Sequence, residues 1–165
     1  MMEIISSTIS RDAYAETNAA FCSLLLTTNV AGFQSVHNRS MPVTLIPFVL
    51  PIVMSGELDS TFSYTTVDTG LSRWVVKNPQ ILLKLPAQTK ACREMTRTAL
   101  QFALHFKELS IDNEANMRAA NPTLSALQLK KLGFERMASN ATKLGAWFGS
   151  LGSVALAYNI LGLEV

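Results

Sequence analysis

Lys90, Arg93 and Arg97 fall at i, i+3 and i+7, so a helix would carry all three along one side. That spacing suits contact with DNA phosphates or with an acidic protein surface. They end a longer basic run, Arg73, Lys77, Lys84, Lys90, Arg93 and Arg97, opposed only by Glu94. A stripe of three cations is also what an ordinary amphipathic helix turns toward water. Lys130, Lys131, Arg136 and Lys143 form a second, looser group. Glu135 interrupts it, and it reads as a solvated face.

Catalytic groups are sparse. His37 and His105 are the only histidines. General acid–base or nucleophilic chemistry wants such a side chain beside a nucleophile or a carboxylate. His105 stands among Phe102, Leu104 and Phe106 and reads as a helix-packing residue; His37 reads as loop. Cys22 and Cys92 have neither metal-ligand spacing nor a flanking histidine, so both read as buried thiols. Gly145, Gly149 and Gly152 do not make a phosphate loop, since no Lys-Ser/Thr follows and no strand precedes. They read as sites of close helix packing, or as turns around Trp147 and Phe148. No pair of carboxylates stands in a catalytic setting. The chain is expected not to be an enzyme and to need no metal or cofactor.

Composition points to partners rather than to chemistry. Of 165 residues, 16% are charged and 48% are hydrophobic, too little charge to cover a surface comfortably. That implies apolar surface meant for another protein, or else a compact domain with a Ser/Thr/Asn exterior. A net charge of +2 does not by itself imply nucleic-acid binding. The start, MMEIISSTIS, has no basic opening and no long apolar run. The expectation is a cytoplasmic protein without a signal peptide or a membrane span.

The elements that must position these groups follow from the apolar pattern. The centre is Pro42 to Ser55, PVTLIPFVLPIVMS, which carries no charge. At 14 residues it is too short to span a bilayer, and it reads as a core helix beginning near Pro47 or kinked there. A strand is disfavoured because proline cannot join a central ladder. Before it, an irregular arm covers residues 1–10, with a short edge strand through Glu3–Ile5. Asp12 caps a helix through Tyr14, Phe21, Leu24 and Leu25 that ends before Gly32, and Gln34 to Met41 is loop.

After it, Gly70 to Lys77 is a short helix with Leu71, Trp74 and Val75 on one face. Asn78 and Pro79 open the next helix, with a kink or break at Pro86. Cys92, Met95, Ala99, Phe102, Phe106 and Leu109 form the apolar stripe of a helix from about Ala87 to Lys107, continuous or restarted near Thr96. Leu109 to Ala119 alternates around a polar turn, a hairpin. Pro122 and Thr123 open a helix through Leu132 and Phe134, bent near Gly133. Ser153 caps a last helix, Val154 to Leu161, stopped by Gly162. The fold class is mainly α with a small β-hairpin, a single helical domain over residues 1–165. A hairpin directly after the longest helix gives it a winged-helix-like order.

The ordered features resemble a known family. Asn18, Phe21, Leu24, Leu25 and Leu26 run to Gly32-Phe33. A Pro-bounded apolar segment extends from Pro42 through Leu50-Pro51-Ile52-Val53. Leu71 to Trp74, Thr96-Arg97-Thr98-Ala99-Leu100 and Leu144-Gly145-Ala146-Trp147-Phe148 follow, then Gly152, Tyr158 and Leu161-Gly162. This set resembles the middle component of ABC three-component systems, the small subunit of Lamassu-type antiphage defence, over roughly residues 13 to 163. Ala19 departs from it, standing where the family pattern has proline, which bears on how the first helix begins. The resemblance implies a non-catalytic adaptor. It would bridge an SMC-like ABC ATPase to an effector, often a nuclease, and hold the effector inactive until foreign DNA is sensed. DNA would be reached through the complex. Trp74, Trp147 and Phe148 are the expected partner anchors, and Lys90, Arg93 and Arg97 the expected contacts to DNA or an acidic partner. The alternative is a stand-alone winged-helix DNA-binding regulator.

Overall fold

The computed structural model describes residues 18–120, 130, 131 and 133–163. The expected arm over residues 1–10, the Asp12 cap, Tyr14 and most of the helix opened by Pro122 lie outside these residues.

Asn18 starts the first described helix, α1 (Ala19–His37), its side-chain oxygen accepting the Phe21 N–H at 3.0 Å. Gly32 does not stop it. The helix runs five residues further and ends at Asn38, which takes a left-handed conformation (φ 51°). Gly32 instead lies against α7 (Glu135–Gly149), where a Cβ at Gly32 would sit 2.4 Å from the Thr142 carbonyl oxygen. Gly145 and Gly149 of α7 reciprocate: their added carbons would meet the Asn29 oxygen at 2.0 Å and the Phe33 oxygen at 2.7 Å. The three glycines therefore let two helix backbones touch. Asn29 locks the crossing, its Nδ2 donating to the Ala141 carbonyl at 3.0 Å. By length and composition α1 is apolar enough to cross a membrane, and 61% of that apolar window is buried inside the fold. The α1–α7 pair, rather than Pro42–Ser55, is the axis on which the rest is built.

Pro42–Ser55 is core, but not one helix. Met41–Pro42 is a strand, β1, followed by a 3₁₀ segment (Val43–Phe48) and a short helix, α2 (Val49–Val53). The chain turns again into α3 (Gly56–Asp59) and a second 3₁₀ turn (Ser60–Phe62). Leu45, Ile46 and every residue from Phe48 to Val53 are buried. The prolines explain the division. Pro51 falls in the first turn of α2, where an N–H has no partner within the helix. Pro42 does form a strand, contrary to the sequence reading. It pairs with Asn116 at the sheet edge, the place in a sheet that tolerates proline.

α4 (Leu71–Lys77) forms as expected and buries Leu71, Trp74 and Val75. Asn78 does not cap the next helix. Its side chain donates back to the Trp74 carbonyl at 2.9 Å and so closes α4. α5 (Gln80–Ala91) runs through Pro86 without ending, held to the core by Ile81 and Leu85. The break comes at Cys92, before α6 (Arg93–His105). α6 buries Thr96, Ala99 and Ala103, a stripe shifted from the predicted one, which leaves Phe106 exposed.

The hairpin is present as β2 (Leu109–Ile111) and β3 (Asn116–Ala119), its turn held by the Asp112 carboxylate, which accepts from Glu114 and Asn116 N–H. β1 adds to it, giving an antiparallel sheet of order β1-β3-β2. α8 (Val154–Ile160) follows its Ser153 cap, which accepts from Leu156 N–H at 3.2 Å, and Gly162 ends it with φ 73°. The protein is mainly α with one small sheet.

Candidate partner-binding surface

The three aromatics expected to anchor a partner are inside. Trp74, Trp147 and Phe148 are 1%, 0% and 2% exposed, which corrects the anchor reading to a core one. Phe62 stacks on Trp147 with centroids 5.6 Å apart and an interplanar angle of 8°, and Trp74 tilts against both. Each indole N–H is satisfied within the fold. Trp74 donates to Thr61 Oγ1 at 3.0 Å and Trp147 to the Thr66 carbonyl at 2.9 Å. Bulk, stacking and hydrogen bonds are all spent on fixing the 60–70 loop to α4 and α7.

Lys90, Arg93 and Arg97 are exposed, as the stripe required. They do not share one helix: Lys90 lies near the end of α5, Arg93 and Arg97 on α6 beyond the Cys92 break. Among the described residues, neither they nor Arg73 and Lys77 make an ion pair. Lys84 pairs with Glu57 and Arg136 with Asp59 (2.8 Å). The second basic group is thus partly used internally. Arg136 and Asn140 both hold Asp59, and Lys143 donates to the Phe62 carbonyl at 3.4 Å.

Sequence reasoning missed the aliphatics that face out. Val76 on α4 is 75% exposed and Leu83 on α5 is 85% exposed. Leu82 and, on α8, Leu156 are partly exposed as well. These positions surround one corner. Asn78 joins α4 to α5, α8 packs on α4, and Leu82 lies 3.5 Å from a carbon placed at Gly162. The signal was in the sequence. Trp74-Val75-Val76 and Ile81-Leu82-Leu83 are runs of three apolar residues on helices, and successive residues point about 100° apart, so a run of three is wholly buried only where the helix is covered on more than one side, as α2 is and these two helices are not.

The remaining candidates have structural explanations. His37 is the exposed last residue of α1 rather than loop. His105 is exposed and edge-on to Phe106 at 4.9 Å rather than packed in the core. Cys22 is buried and Cys92 half-buried. Burial, with Cys92 adding to it, pushes the Cys22 thiol up to about 11, so Cys22 is a thiol and not a nucleophilic thiolate at neutral pH. Among the described residues, no three His, Cys, Asp or Glu side chains gather in a metal-binding arrangement. A cavity of about 530 Å³ lies between α2 and the α5–α6 break, lined by Leu50, Pro51, Met54, Gln88, Cys92 and Met95, among others.

What these surfaces offer is contact: an aliphatic corner, with cations on the same helices that make no ion pair with a described residue. Neither a curated protein nor a solved structure matches the chain. A family model does, over residues 6–165, that of the ABC-three component (ABC-3C) system Middle Component 3.

Proposed function

The chain belongs to that Middle Component 3 family of ABC-three component systems, and from this premise we propose that it is a non-enzymatic, cytoplasmic adaptor subunit. In this reading it bridges an SMC-like ABC ATPase to an effector, such as a nuclease, within a Lamassu-type antiphage defence complex. It helps hold the effector inactive until foreign DNA is sensed. The observation that carries the reading is the family match over nearly the whole chain. The exposed aliphatic corner, beside cations that make no ion pair with a described residue, supports it, because a subunit built for assembly keeps apolar surface for its partners.

Co-purification tests this. The chain is tagged and expressed with its co-encoded neighbours. Recovery of an ABC ATPase in a stable complex is the expected result. A tagged chain that retains none of them overturns the adaptor reading.

A second reading has one observation in its favour. α6 presents Arg93 and Arg97 to solvent and leads into the β2–β3 hairpin, the order in which a winged-helix DNA-binding regulator would use a helix and its wing. That reading expects duplex binding that weakens steeply with salt and is lost on Arg93→Glu/Arg97→Glu. The adaptor reading expects those changes to leave assembly intact.

A further inference from the structure

We propose that the α4–α5 corner is the docking site for an acidic, aliphatic-bearing segment of a partner subunit, an inference that rests on the adaptor reading and gives it a location. Val76 and Leu83 are the two most exposed aliphatic side chains among the described residues, and they stand on either side of the Asn78–Pro79 connection. Two strongly exposed aliphatic side chains flanking one helix–helix connection are apolar surface of the kind a partner covers.

The charges around the corner choose the occupant. From Gly70 to Cys92 the chain holds four cations, Arg73, Lys77, Lys84 and Lys90, and no aspartate or glutamate. Lys84 is taken by Glu57, and Asp68 lines one hollow with Arg73 and Val76. Arg73, Lys77 and Lys90 are exposed and make no ion pair with a described residue, so cations still outnumber acids there. On α5, Leu83, Ala87 and Lys90 fall at i, i+4 and i+7 and are all exposed, so the outer face of this helix passes from aliphatic to cationic along its length. A matching surface carries aliphatic side chains opposite Val76 and Leu83 and carboxylates opposite Arg73, Lys77 and Lys90. Apolar contact then supplies the binding and the charges set rate and register.

Two other occupants fit less well. A second copy of the chain would bring like charges to face one another across a two-fold axis. Duplex DNA would satisfy the cations but leave Val76 and Leu83 against phosphates, with no gain from their burial.

The test uses the full chain, tagged and co-expressed with its co-encoded subunits. The variants are Val76→Glu and Leu83→Glu, singly and together, and Lys77→Glu/Lys90→Glu. Both aliphatic positions face water, so the folded state should survive, and melting temperature checks this. The expected result is that each aliphatic variant weakens subunit recovery about tenfold or more. The charge-reversed variant, and added salt with the wild type, should weaken it as well. If the wild type retains no subunit, the adaptor reading itself fails. If the wild type assembles and the folded Leu83→Glu variant assembles equally well, the adaptor reading stands and the corner is not the dock. A concentration-dependent dimer of the isolated chain, abolished by Leu83→Glu, would assign the corner to a second copy and overturn the proposal. Duplex binding lost on Lys77→Glu/Lys90→Glu, with subunit recovery unchanged by every variant, would assign it to DNA and overturn it too.

Discussion

Gly145 faces the Asn29 carbonyl so closely that a single added carbon would lie 2.0 Å from its oxygen. Because the obstacle is backbone, it cannot swing aside as a side chain would. Gly145→Ala must therefore push α1 and α7 apart along their length. The expected cost is about 3 kcal/mol, which in a chain of this size lowers the melting temperature by about 6–12 °C. Gly152→Ala is the control. Nothing lies within 4 Å of its added carbon, and its effect should stay within about 0.5 kcal/mol. Thermal unfolding followed by circular dichroism reads both.

Asn29 should be costly to remove although it lies away from the surface. It is fully buried and bridges the two central helices through Ala141. Asn29→Ala loses that bond and is expected to destabilise by about 1–3 kcal/mol, measured by urea unfolding. Asn18→Ala removes only the cap of α1 and should cost about 1 kcal/mol.

Trp74 and Trp147 separate core from interface. Trp74→Phe breaks the bond to Thr61 and loosens the stack with Phe62 and Trp147. It should lower stability by about 1–3 kcal/mol and leave subunit recovery unchanged well below its melting temperature. Lost recovery with an unchanged melting temperature would return the indole to the interface.

Cys22 offers a pH test. Its folded-state value stands raised, about 11 against an ordinary 9.0. Below pH 9 the thiol is protonated whether the chain is folded or not, and stability does not depend on it. Between 9 and 11 the unfolded chain can ionise while the folded one cannot, so stability falls as pH rises through that window. Iodoacetamide at pH 8 should modify half-buried Cys92 faster than Cys22, with Cys22 becoming reactive only on denaturation, as peptide mass spectrometry would show.

Most local signals are legible in the sequence, the Asn78 cap being the exception. The Ser153 cap, the Gly162 stop, the short helix around Trp74 and the hairpin at Leu109–Ala119 each depend on a few neighbouring residues, and each is present. Gly32 was misread because a helix-stopping glycine and a helix-packing glycine look alike until the opposite backbone is known. That backbone belongs to Thr142, 110 positions further along. Pro42 was misread in the same way. Its strand exists only because Asn116 lies beside it. The large aromatics misled as surface candidates, since size raises the worth of burial in a core as much as in an interface. Val76 and Leu83 were legible as the odd members of three-residue apolar runs. Only the fold shows which members of each run turn outward: Val76 in one, Leu82 and Leu83 in the other.

The Asn29–Ala141 link has a consequence for how the protein is made. Its two residues are separated by 112 positions, and a ribosome adding about 5–20 residues per second needs about 6–22 s to cover that distance. Throughout that interval the most apolar long helix among the described residues has been synthesised and its main partner has not. A nascent chain stalled or cut before α7 would leave the Gly32 face of α1 uncovered, with α6, α2 and β3 against its other sides. Such a chain is a substrate for holding chaperones and proteases, so the synthesis of α7 decides whether α1 survives.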